Sequence, residues 1–393
     1  MSADRVDVAI VGGGISGLAL ALELRQRSSN SVVVIERGYT GAGGSSRNVG
    51  RIRAMQLTPE LTRFAIAAQA KHERLSDQLG SNTLFWRAGY AWVLYEDQEA
   101  ERMSSLLPMF RRLKMRAPRF AEGREVVRRL PVLRGGEPPR AAMIGHDAIG
   151  HHDAVLYAYR RACAARRVRV LEHVDVVEVL RDGDRAVGVR TEAGRIEADT
   201  IVNAAGGWSR ELSAMAGVPV PNAPLRREVF VTEPAAPFMR PAVTFYRPVE
   251  GWFNQTLRGE MVAGVTAPDE PVAMNQRSSF EFLTRSSEVL MRKAPRLGHL
   301  RIIRQWAGVY DVTPDRMPIV GPVGGRPGFV QMNGYSGRGF ALVPLIAELL
   351  AKWLTTGERP AELVAFDPDR FAGLTTRDEV RTGDYYAGYD PNA

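Results

Sequence analysis

Apolar positions along the chain form two patterns, short continuous runs typical of buried strands and longer periodic segments typical of helices. Together these patterns predict the elements of an α/β protein. Runs of apolar residues at 5–11 and 31–36 predict short buried strands, and the segment 15–28 between them predicts a helix. Near the other end, "GFVQMNG" predicts a strand and 339–355 predicts a long helix. This alternation of buried strands and helices is typical of a parallel sheet.

The middle of the chain follows a different pattern. Strands are predicted at 174–180, 186–191 and 199–203, separated by the turns "RDGDR" and "EAGR". Residues 219–272 are rich in proline and alternate polar with apolar side chains, which indicates an antiparallel sheet separate from the parallel one. Because the chain leaves the first sheet and returns to it, we expect two interleaved domains rather than two consecutive ones.

Capping residues mark the start of two further helices. Thr58, followed by Pro59, begins a predicted helix that ends before Gly80. Asp153 is predicted to cap a helix in "DAVLYAYRRACAARR". Both starts combine a capping side chain with the apolar periodicity of the segment that follows.

Composition excludes several classes of protein. The chain of 393 residues has one cysteine, Cys163, so neither an internal disulfide nor a cysteine-based metal site is expected. The nearest candidate for a membrane span, "ALVPLIAELLAKWL", is interrupted by Pro344, Glu348 and Lys352. The N-terminus lacks the pattern of a signal peptide, so the expected compartment is the cytoplasm. No metal site is predicted.

The net charge of +8 comes mostly from arginines spread along the chain, with one dense stretch at 111–134. Nucleic-acid-binding proteins usually concentrate positive charge with aromatic or helical motifs, so no nucleic acid is expected as a partner. We interpret the dense stretch as a solvated face. A docking face for a partner and a funnel for an anionic substrate are the alternatives.

The stretch "VDVAIVGGGISGLAL" contains the pattern G-x-G-x-x-G between a predicted strand and a predicted helix. The first glycine permits a tight turn, the second lets a pyrophosphate approach the backbone, and the third lets helix and strand pack closely. The helix start offers N–H groups to phosphates, and an acidic residue after the second strand suits ribose hydroxyls. The residues assigned to this dinucleotide site are Gly12, Gly14, Ile15, Ser16, Gly17 and Glu36.

Three further stretches favour FAD over NAD. Ser45, Ser46, Arg47 and Asn48 follow the second strand and suit a loop along the phosphates and ribityl chain of an extended cofactor. "ADTIVNAAGGWS" runs a buried strand into small residues at a sheet edge, where ligands bind. "MNGYSGRGFALV" places a glycine turn before the last helix, whose N-terminus suits the negative charge of a reduced flavin.

In this order, the four stretches resemble the D-amino-acid oxidase (DAO) superfamily of FAD proteins. "SSRNVGRIRAMQ", "GHHDAVLYAYRRA" and "WAGVYDVTPDRMPIVGP" are most similar to the beta subunits of heterotetrameric sarcosine oxidase and of dye-linked L-proline and opine dehydrogenases. The resemblance implies oxidation of the C–N bond of a small secondary amine or amino acid, with hydride passing to flavin N5. The resulting imine is hydrolysed, and partner subunits of a hetero-oligomer are implied.

The resemblance also assigns roles to particular residues. Arg53 falls where sarcosine oxidases hold the substrate carboxylate, and Arg51 lies close enough to compete for that role. The candidate catalytic residues are Arg51, Arg53, Tyr335 and Arg338. The further candidates for cofactor binding are Arg37, Val176, Ala205, Gly206, Trp208, Gly334, Ser336, Gly337, Arg338, Gly339 and Phe340. Tyr246, Trp252, Phe253 and Tyr335 are candidates for the pocket wall, and each is equally compatible with core packing.

Three positions bear on how flavin is held and reoxidised. Monomeric sarcosine oxidase attaches FAD to a cysteine where this chain has Gly308, so the resemblance implies noncovalent FAD here. It has a lysine where this chain has Ala341, which makes oxygen doubtful as the electron acceptor and favours relay to a partner subunit. His152 aligns with a histidine that carries covalent FMN at a subunit interface, although a histidine at a helix start is an equally simple interpretation.

The expected architecture is therefore α/β, with a Rossmann-like FAD domain built on a parallel sheet of the glutathione-reductase type. The second domain is a substrate domain with a mixed or antiparallel sheet. The expected segments are 1–86, 142–215 and 305–365 for the FAD domain, 87–141 and 216–304 for the substrate domain, and 366–393 for a C-terminal tail. The alternatives are a flavin monooxygenase, an NAD dehydrogenase, and an FAD-binding subunit without its own catalysis.

Overall fold

Strands and helices alternate along the chain, of which the computed structural model describes residues 4–116 and 118–372. The strands are β1 (Asp4–Val11), β2 (Val32–Ile35), β3 (Arg51–Ile52), β4 (Tyr90–Leu94), β5 (Arg119–Glu122), β6 (Ala141–Gly145), β7 (Ala148–Ile149), β8 (Arg169–Leu171), β9 (Val176–Asp182), β10 (Arg185–Thr191), β11 (Gly194–Asn203), β12 (Ala223–Pro234), β13 (Ala242–Phe245), β14 (Gly251–Gln255), β15 (Glu260–Val265), β16 (Ile302–Val312), β17 (Ile319–Pro322) and β18 (Phe329–Asn333). The helices are α1 (Ile15–Arg27), α2 (Pro59–Glu73), α3 (Leu75–Leu79), α4 (Asp97–Ser105), α5 (Leu107–Arg112), α6 (Arg124–Arg129), α7 (His152–Ala165), α8 (Ser209–Met215), α9 (Phe280–Lys293) and α10 (Gly339–Thr356).

The first sheet has the order β17-β18-β11-β1-β2-β8, and β9 and β10 extend it from β11 as an antiparallel pair. Strand β1 lies at its centre and pairs in parallel with both β2 and β11. All four residues of β2 are buried, as expected for a parallel strand covered on both faces by other elements. The predicted parallel sheet is confirmed.

The second sheet has the order β16-β12-β15-β14-β13-β4-β6-β5. Its pairs are antiparallel except for β13 with β4, which are parallel, so it is the mixed sheet that the sequence predicts. A separate two-stranded ribbon pairs β3 with β7. This ribbon holds Arg51 opposite Ile149 and so fixes the start of the segment that carries the candidate arginines.

Helices α1, α2, α7 and α10 pack together over the first sheet. Helix α10 is long and apolar enough to cross a membrane by those two criteria alone. Half of it is buried inside the protein, where it packs against α1 and α2. Burying each large apolar side chain contributes about 1.5–3 kcal/mol, which accounts for its place in the core.

The predicted helix starts are confirmed at one position and wrong at the other. The Thr58 side chain accepts a hydrogen bond from the backbone N–H of Leu61, and Pro59 is the first helical residue. At α7 the cap is His151, whose side chain accepts from Ala154 N, and not Asp153. Asp153 instead lies in the first turn, where its negative charge interacts favourably with the helix dipole.

The domain boundaries stay a prediction. Strand β6 (Ala141–Gly145) and strand β16 (Ile302–Val312) both pair in the second sheet, although most of each falls within the expected FAD-domain segments 142–215 and 305–365. The expected tail at 366–393 falls partly outside the described residues. Its described part contains a short 3₁₀ turn at Pro368–Phe371.

Candidate active site

The turn between β1 and α1 is closed so tightly that side chains would not fit at two of its glycines. Gly12 has φ of +118°, and a Cβ on it would lie 2.3 Å from the carbonyl oxygen of Ala204. A Cβ on Gly17 would lie 2.0 Å from the carbonyl oxygen of Gly12. The first and third glycines of the motif therefore perform the packing roles that the sequence assigns to them.

Polar groups converge on this turn from two neighbouring loops. The Glu36 carboxylate accepts hydrogen bonds from Gly13 N at 2.7 Å and Gly38 N at 2.8 Å. The Ser45 hydroxyl accepts from Ile15 N at 2.9 Å, at the start of α1. A helix N-terminus, a carboxylate and a hydroxyl are thus gathered at one edge of the sheet, as a dinucleotide site requires.

A cavity of about 430 Å³ runs from this turn to the edge of the second sheet. The predicted residues that line it are Gly12, Gly14, Ile15, Ser16, Glu36, Arg37, Ser45, Arg47, Asn48, Val176, Ala205, Gly206, Trp208, Tyr335, Gly337, Gly339 and Phe340. The predicted residues that do not line it are Gly17, Ser46, Arg51, Arg53, Gly334, Ser336 and Arg338. Most of the predicted cofactor set is therefore brought together, and the three arginines lie beside the cavity rather than in its wall.

A stacked cation flanks the cavity wall at Trp208. The Arg37 guanidinium lies 5.3 Å from the centre of the Trp208 ring. Arg37 also approaches Asp175, with 3.9 Å between nitrogen and oxygen. Val176 lies next to this pair at the start of β9. A flat aromatic and aliphatic wall in the same cavity as the Glu36 carboxylate is suited to a nucleobase.

The loop 334–339 also lines the cavity, and a buried aspartate holds it in place. The Asp311 carboxylate accepts from Gly334 N at 2.6 Å and Tyr335 N at 3.2 Å. Burial raises the pKa of Asp311 to about 6. The Tyr335 hydroxyl bonds to Ser16 and to the carbonyl of Met332, so it joins this loop to α1, and its catalytic role stays a prediction.

Arg51 is held by neutral groups of the second sheet. It donates to Asn254 Oδ1 at 3.2 Å, to Thr244 Oγ1 at 2.8 Å and to the carbonyl of Val243 at 3.2 Å. Its guanidinium lies 4.7 Å from the ring centre of Trp252, which lines the cavity. Burial lowers the pKa of Arg51, but an arginine side chain stays protonated. Across residues 4–116 and 118–372, no carboxylate lies within 4 Å of this guanidinium.

Arg53 lies two residues further on, between aromatic rings and Gln56. Its guanidinium is 5.0 Å from the ring centre of Trp92 and shares the Tyr90 hydroxyl with Arg51. Gln56 Oε1 accepts from Arg53 at 3.3 Å and from Arg338 at 3.1 Å. Gln56 thus joins Arg53 to Arg338 from near the other end of the chain, and Arg51 lies beside Arg53 at the shared Tyr90 hydroxyl.

A second buried carboxylate lies beneath this group. Asp147 accepts from Ala54 N at 3.0 Å and Met55 N at 3.4 Å, and Gln69 donates to it from α2. Burial raises the pKa of Asp147 to about 6, although the positive charge of Arg53 opposes that shift. Asp147 therefore fixes the backbone that follows Arg53.

The pocket-wall candidates divide between the cavity and the core. Trp252 and Tyr335 line the cavity, and Tyr246 lies beside Arg53. Phe253 is fully buried in the core of the second sheet. Sequence reasoning missed Asp311, Asp147 and Gln56, because a single polar residue in a strand or loop carries no signal of what it will contact.

His152 and Cys163 both lie outside the cavity wall. His152 is mostly buried at the start of α7, stacked on His151, and burial lowers its pKa. Cys163 is fully buried, and its thiol contacts the carbonyl of Leu18. The FMN role of His152 stays a prediction.

The family profile described as "DAO: FAD dependent oxidoreductase" matches residues 7–353. The chain belongs to the DAO family. It is 31% identical to sarcosine oxidase subunit beta from Rhodobacter capsulatus over 360 residues, which cover 88% of this chain and 85% of the relative. This match confirms the resemblance that the sequence motifs indicate.

Solved structures agree with this membership of the DAO family. The crystal structure of L-proline dehydrogenase from P. horikoshii superposes with a TM-score of 0.87 at 26% identity, and covers 94% of this chain and 98% of that one. Glycine oxidase from Geobacillus kaustophilus has a TM-score of 0.85 at 23% identity, over 94% and 100% of the two chains, which shows the shared fold. The expected fold class is confirmed.

As a DAO-family protein, the chain is an FAD-dependent oxidoreductase that acts on CH–NH donors, and its cavity fits FAD. The turn at Gly12 has no room for a side chain against the Ala204 backbone, and α1 has Gly14 as its N-cap and no capping side chain of its own at that position. Glu36 and Val176 line the same cavity as Tyr335, Gly337 and Gly339 of the loop 334–339. Together these groups suit the nucleotide, the pyrophosphate and the flavin of FAD.

Proposed function

We propose that this protein oxidises the C–N bond of a small secondary amine or amino acid, and yields an imine that water hydrolyses. The observation that carries the proposal is the arginine group, Arg51, Arg53 and Arg338, which lies close to the cavity-lining Trp252 and the loop 334–339. A guanidinium is suited to a carboxylate because it offers a fork of N–H donors. The electrostatic attraction between the two groups is stronger where water is excluded.

FAD, when bound, supplies the hydride acceptor at N5. The chain itself binds and orients the substrate. Arg53 holds the carboxylate, while Trp252 and Tyr310 form the cavity wall close to Arg51 and exclude water from the reacting carbon. No general base is required of the chain, because the free amine is the reactive form. FAD is proposed to be noncovalent, since Cys163 lies away from the cavity wall.

We also propose that the protein works in a cytoplasmic hetero-oligomer and passes electrons to a partner subunit. The name of the Rhodobacter capsulatus relative, a beta subunit, supports an assembly of this kind. Co-expression with neighbouring reading frames, followed by size-exclusion chromatography, tests it. A chain that elutes alone and reduces oxygen at full rate would contradict the assembly.

The test of the reaction is anaerobic. Purified holoprotein is mixed with sarcosine, proline, hydroxyproline and other N-alkyl amino acids, and the flavin absorbance is followed. At least one of these amines should bleach the flavin, whereas NADPH should not. Bleaching by NADPH alone would favour a flavin monooxygenase, and a flavin that no amine reduces would favour a non-catalytic FAD-binding subunit.

A further inference from the structure

The segment between β15 and α9 runs alongside β12 before it reaches the FAD cavity. Val272 forms an isolated antiparallel bridge with Leu225 of β12, and Ala273 N donates to the carbonyl of Pro224 at 3.1 Å. Strand β16 covers the other edge of β12 at this point, and β15 pairs only with its C-terminal half. The segment, here called the strap (residues 270–279), therefore continues the edge of β12 that β15 occupies further along.

Buried charged groups of β12 hold both ends of the strap. Arg226 donates to the Glu270 carboxylate from two nitrogens, at 2.8 and 3.0 Å, and to the carbonyl of Arg277 at 2.9 Å. Glu228 accepts from the backbone N–H and from the hydroxyl of Ser279, which also caps α9. Glu228 is 8% exposed and Glu270 is 5% exposed. Because breaking a buried ion pair leaves a charge unpaired and is strongly destabilising, these contacts fix the strap at both ends.

Between these anchors the strap turns towards the cavity. The Met274 sulfur packs against Gly207, where a Cβ would lie 3.1 Å from it. Gly207 and Gln276 both line the cavity that fits FAD. Within residues 4–116 and 118–372, the buried Nε2 of Gln276 has no hydrogen-bond partner. An amide N–H that is buried without a partner costs free energy, so a cavity-lining side chain keeps a donor that a bound ligand can satisfy.

We propose that the strap retains FAD: Gln276 donates from Nε2 to an acceptor atom of the bound cofactor, while Arg226 and Glu228 hold the strap against the cavity. The cofactor is thereby gripped from two sides, by the turn after β1 and by a segment attached to the second sheet. Release of FAD then requires the strap to open. The inference goes beyond the proposed function, because it concerns how the cofactor is kept and not which amine is oxidised.

Retention of FAD is measured without any amine. Holoprotein is diluted to a series of concentrations, and the free FAD at equilibrium is read from the fluorescence of the ultrafiltrate. Gln276→Leu keeps the approximate size of the side chain and removes its donor, so the dissociation constant of FAD should rise by roughly 5–30-fold. Gln98→Leu, on the exposed first turn of α4, is the matched control and should keep the wild-type value. A wild-type dissociation constant in Gln276→Leu would overturn the inference.

Opening of the strap is measured by limited digestion with trypsin, because Arg277 is exposed. Cleavage after Arg277 should be roughly tenfold slower in holoprotein than in protein stripped of FAD, since the bound cofactor suppresses local opening. Gln276→Leu saturated with FAD should lose most of this protection. Cleavage after Arg134, which is exposed and does not line the cavity, should not respond to FAD. Equal protection at both sites would show that FAD stabilises the whole chain and would refute a strap.

An anchor variant keeps the test decisive if Gln276→Leu fails to fold. Glu270→Gln keeps the shape of a side chain outside the cavity wall and removes its charge from the pair with Arg226. The dissociation constant of FAD should rise by roughly 3–10-fold, because the strap is held less firmly. Glu101→Gln, at an exposed position of α4, is its control for net charge. An unchanged dissociation constant in Glu270→Gln would contradict the role of the anchor and overturn the inference.

The strap and the proposed reaction fail separately. If Gln276→Leu loses FAD as expected but no amine bleaches the wild-type flavin, the reaction is wrong and the strap stands. If an amine bleaches the flavin but Gln276→Leu holds FAD as tightly as the wild type, the strap is wrong and the reaction stands.

Discussion

The FAD cleft and the arginine group are neighbours built in opposite ways. The cleft is made of backbone: glycines, amide groups and a helix start drawn mostly from segments that follow one another in the first sheet. The arginine group is made of side chains that reach in from β3, the segment after it, and the loop before α10. The cleft therefore depends on bare backbone at its glycines, whereas the arginine group depends on the charges of its side chains.

Because the FAD cleft depends on bare backbone, adding a side chain at Gly12 should abolish FAD binding. Gly12→Val should lose FAD, because even its Cβ would lie 2.3 Å from the carbonyl oxygen of Ala204. Overpacking of this kind costs about 1–3 kcal/mol or more, so the flavin bound per protein should fall by roughly tenfold or more. The ratio of flavin to protein absorbance measures it. Gly325→Ala, where a Cβ meets open space, should keep its FAD, and retention by both variants would contradict this account of the cleft.

A substitution in the arginine group should weaken substrate binding without releasing FAD. Arg53→Gln should raise the amine concentration needed for half-maximal flavin reduction by about 10–150-fold, since a charge-assisted hydrogen bond is removed. Its FAD content should match that of the exposed-site control Arg63→Gln. Anaerobic titration gives both values. A variant that is colourless would show that Arg53 belongs to the cleft instead.

Asp147, the buried carboxylate near Arg53, should make the free energy of unfolding depend on pH. Burial raises the pKa of Asp147 from 3.8 to about 6, so the folded state binds its proton more tightly than the unfolded state. Its contribution to stability is complete below about pH 4 and is lost as pH rises through about 6. Relative to Asp147→Asn, the wild type should lose up to about 3 kcal/mol across that window. Urea unfolding at several pH values measures the difference, and the exposed control Asp77→Asn should show no such trend.

The smallest expected effect concerns His152, which lies outside the cavity wall. Acid precipitation should release all FAD from the polypeptide, because no cysteine or histidine lines the cavity of the described chain. Yellow colour that stays on the precipitated polypeptide would indicate covalent FMN, and its loss in His152→Ala would assign it to that residue. His152→Ala should leave the FAD content unchanged within error. Persistent colour in the variant would exclude His152 as the attachment site.

Much of the cleft could be predicted from the sequence, because a tight turn leaves a local signature. Gly12 and Gly17 are required by contacts with the carbonyls of Ala204 and Gly12, and glycine is the residue that fits such places. The helix starts were predicted less well. Thr58 caps α2 as expected, whereas His151 and not Asp153 caps α7, since a polar side chain near a helix start suits either position.

The arginine group shows what the sequence left open. The spacing of Arg51 and Arg53 identified both as candidates, but it could not show that Arg51 is held by Asn254 and Thr244 of the second sheet. Nor could it show that Gln56, which contacts Arg53, also contacts Arg338, 282 positions further along the chain. By itself the sequence determined the fold class and the cofactor, because these depend on backbone geometry within short segments. Only the tertiary structure decided which charges meet, because the electrostatic field at a site depends on distance in space and not on distance along the chain.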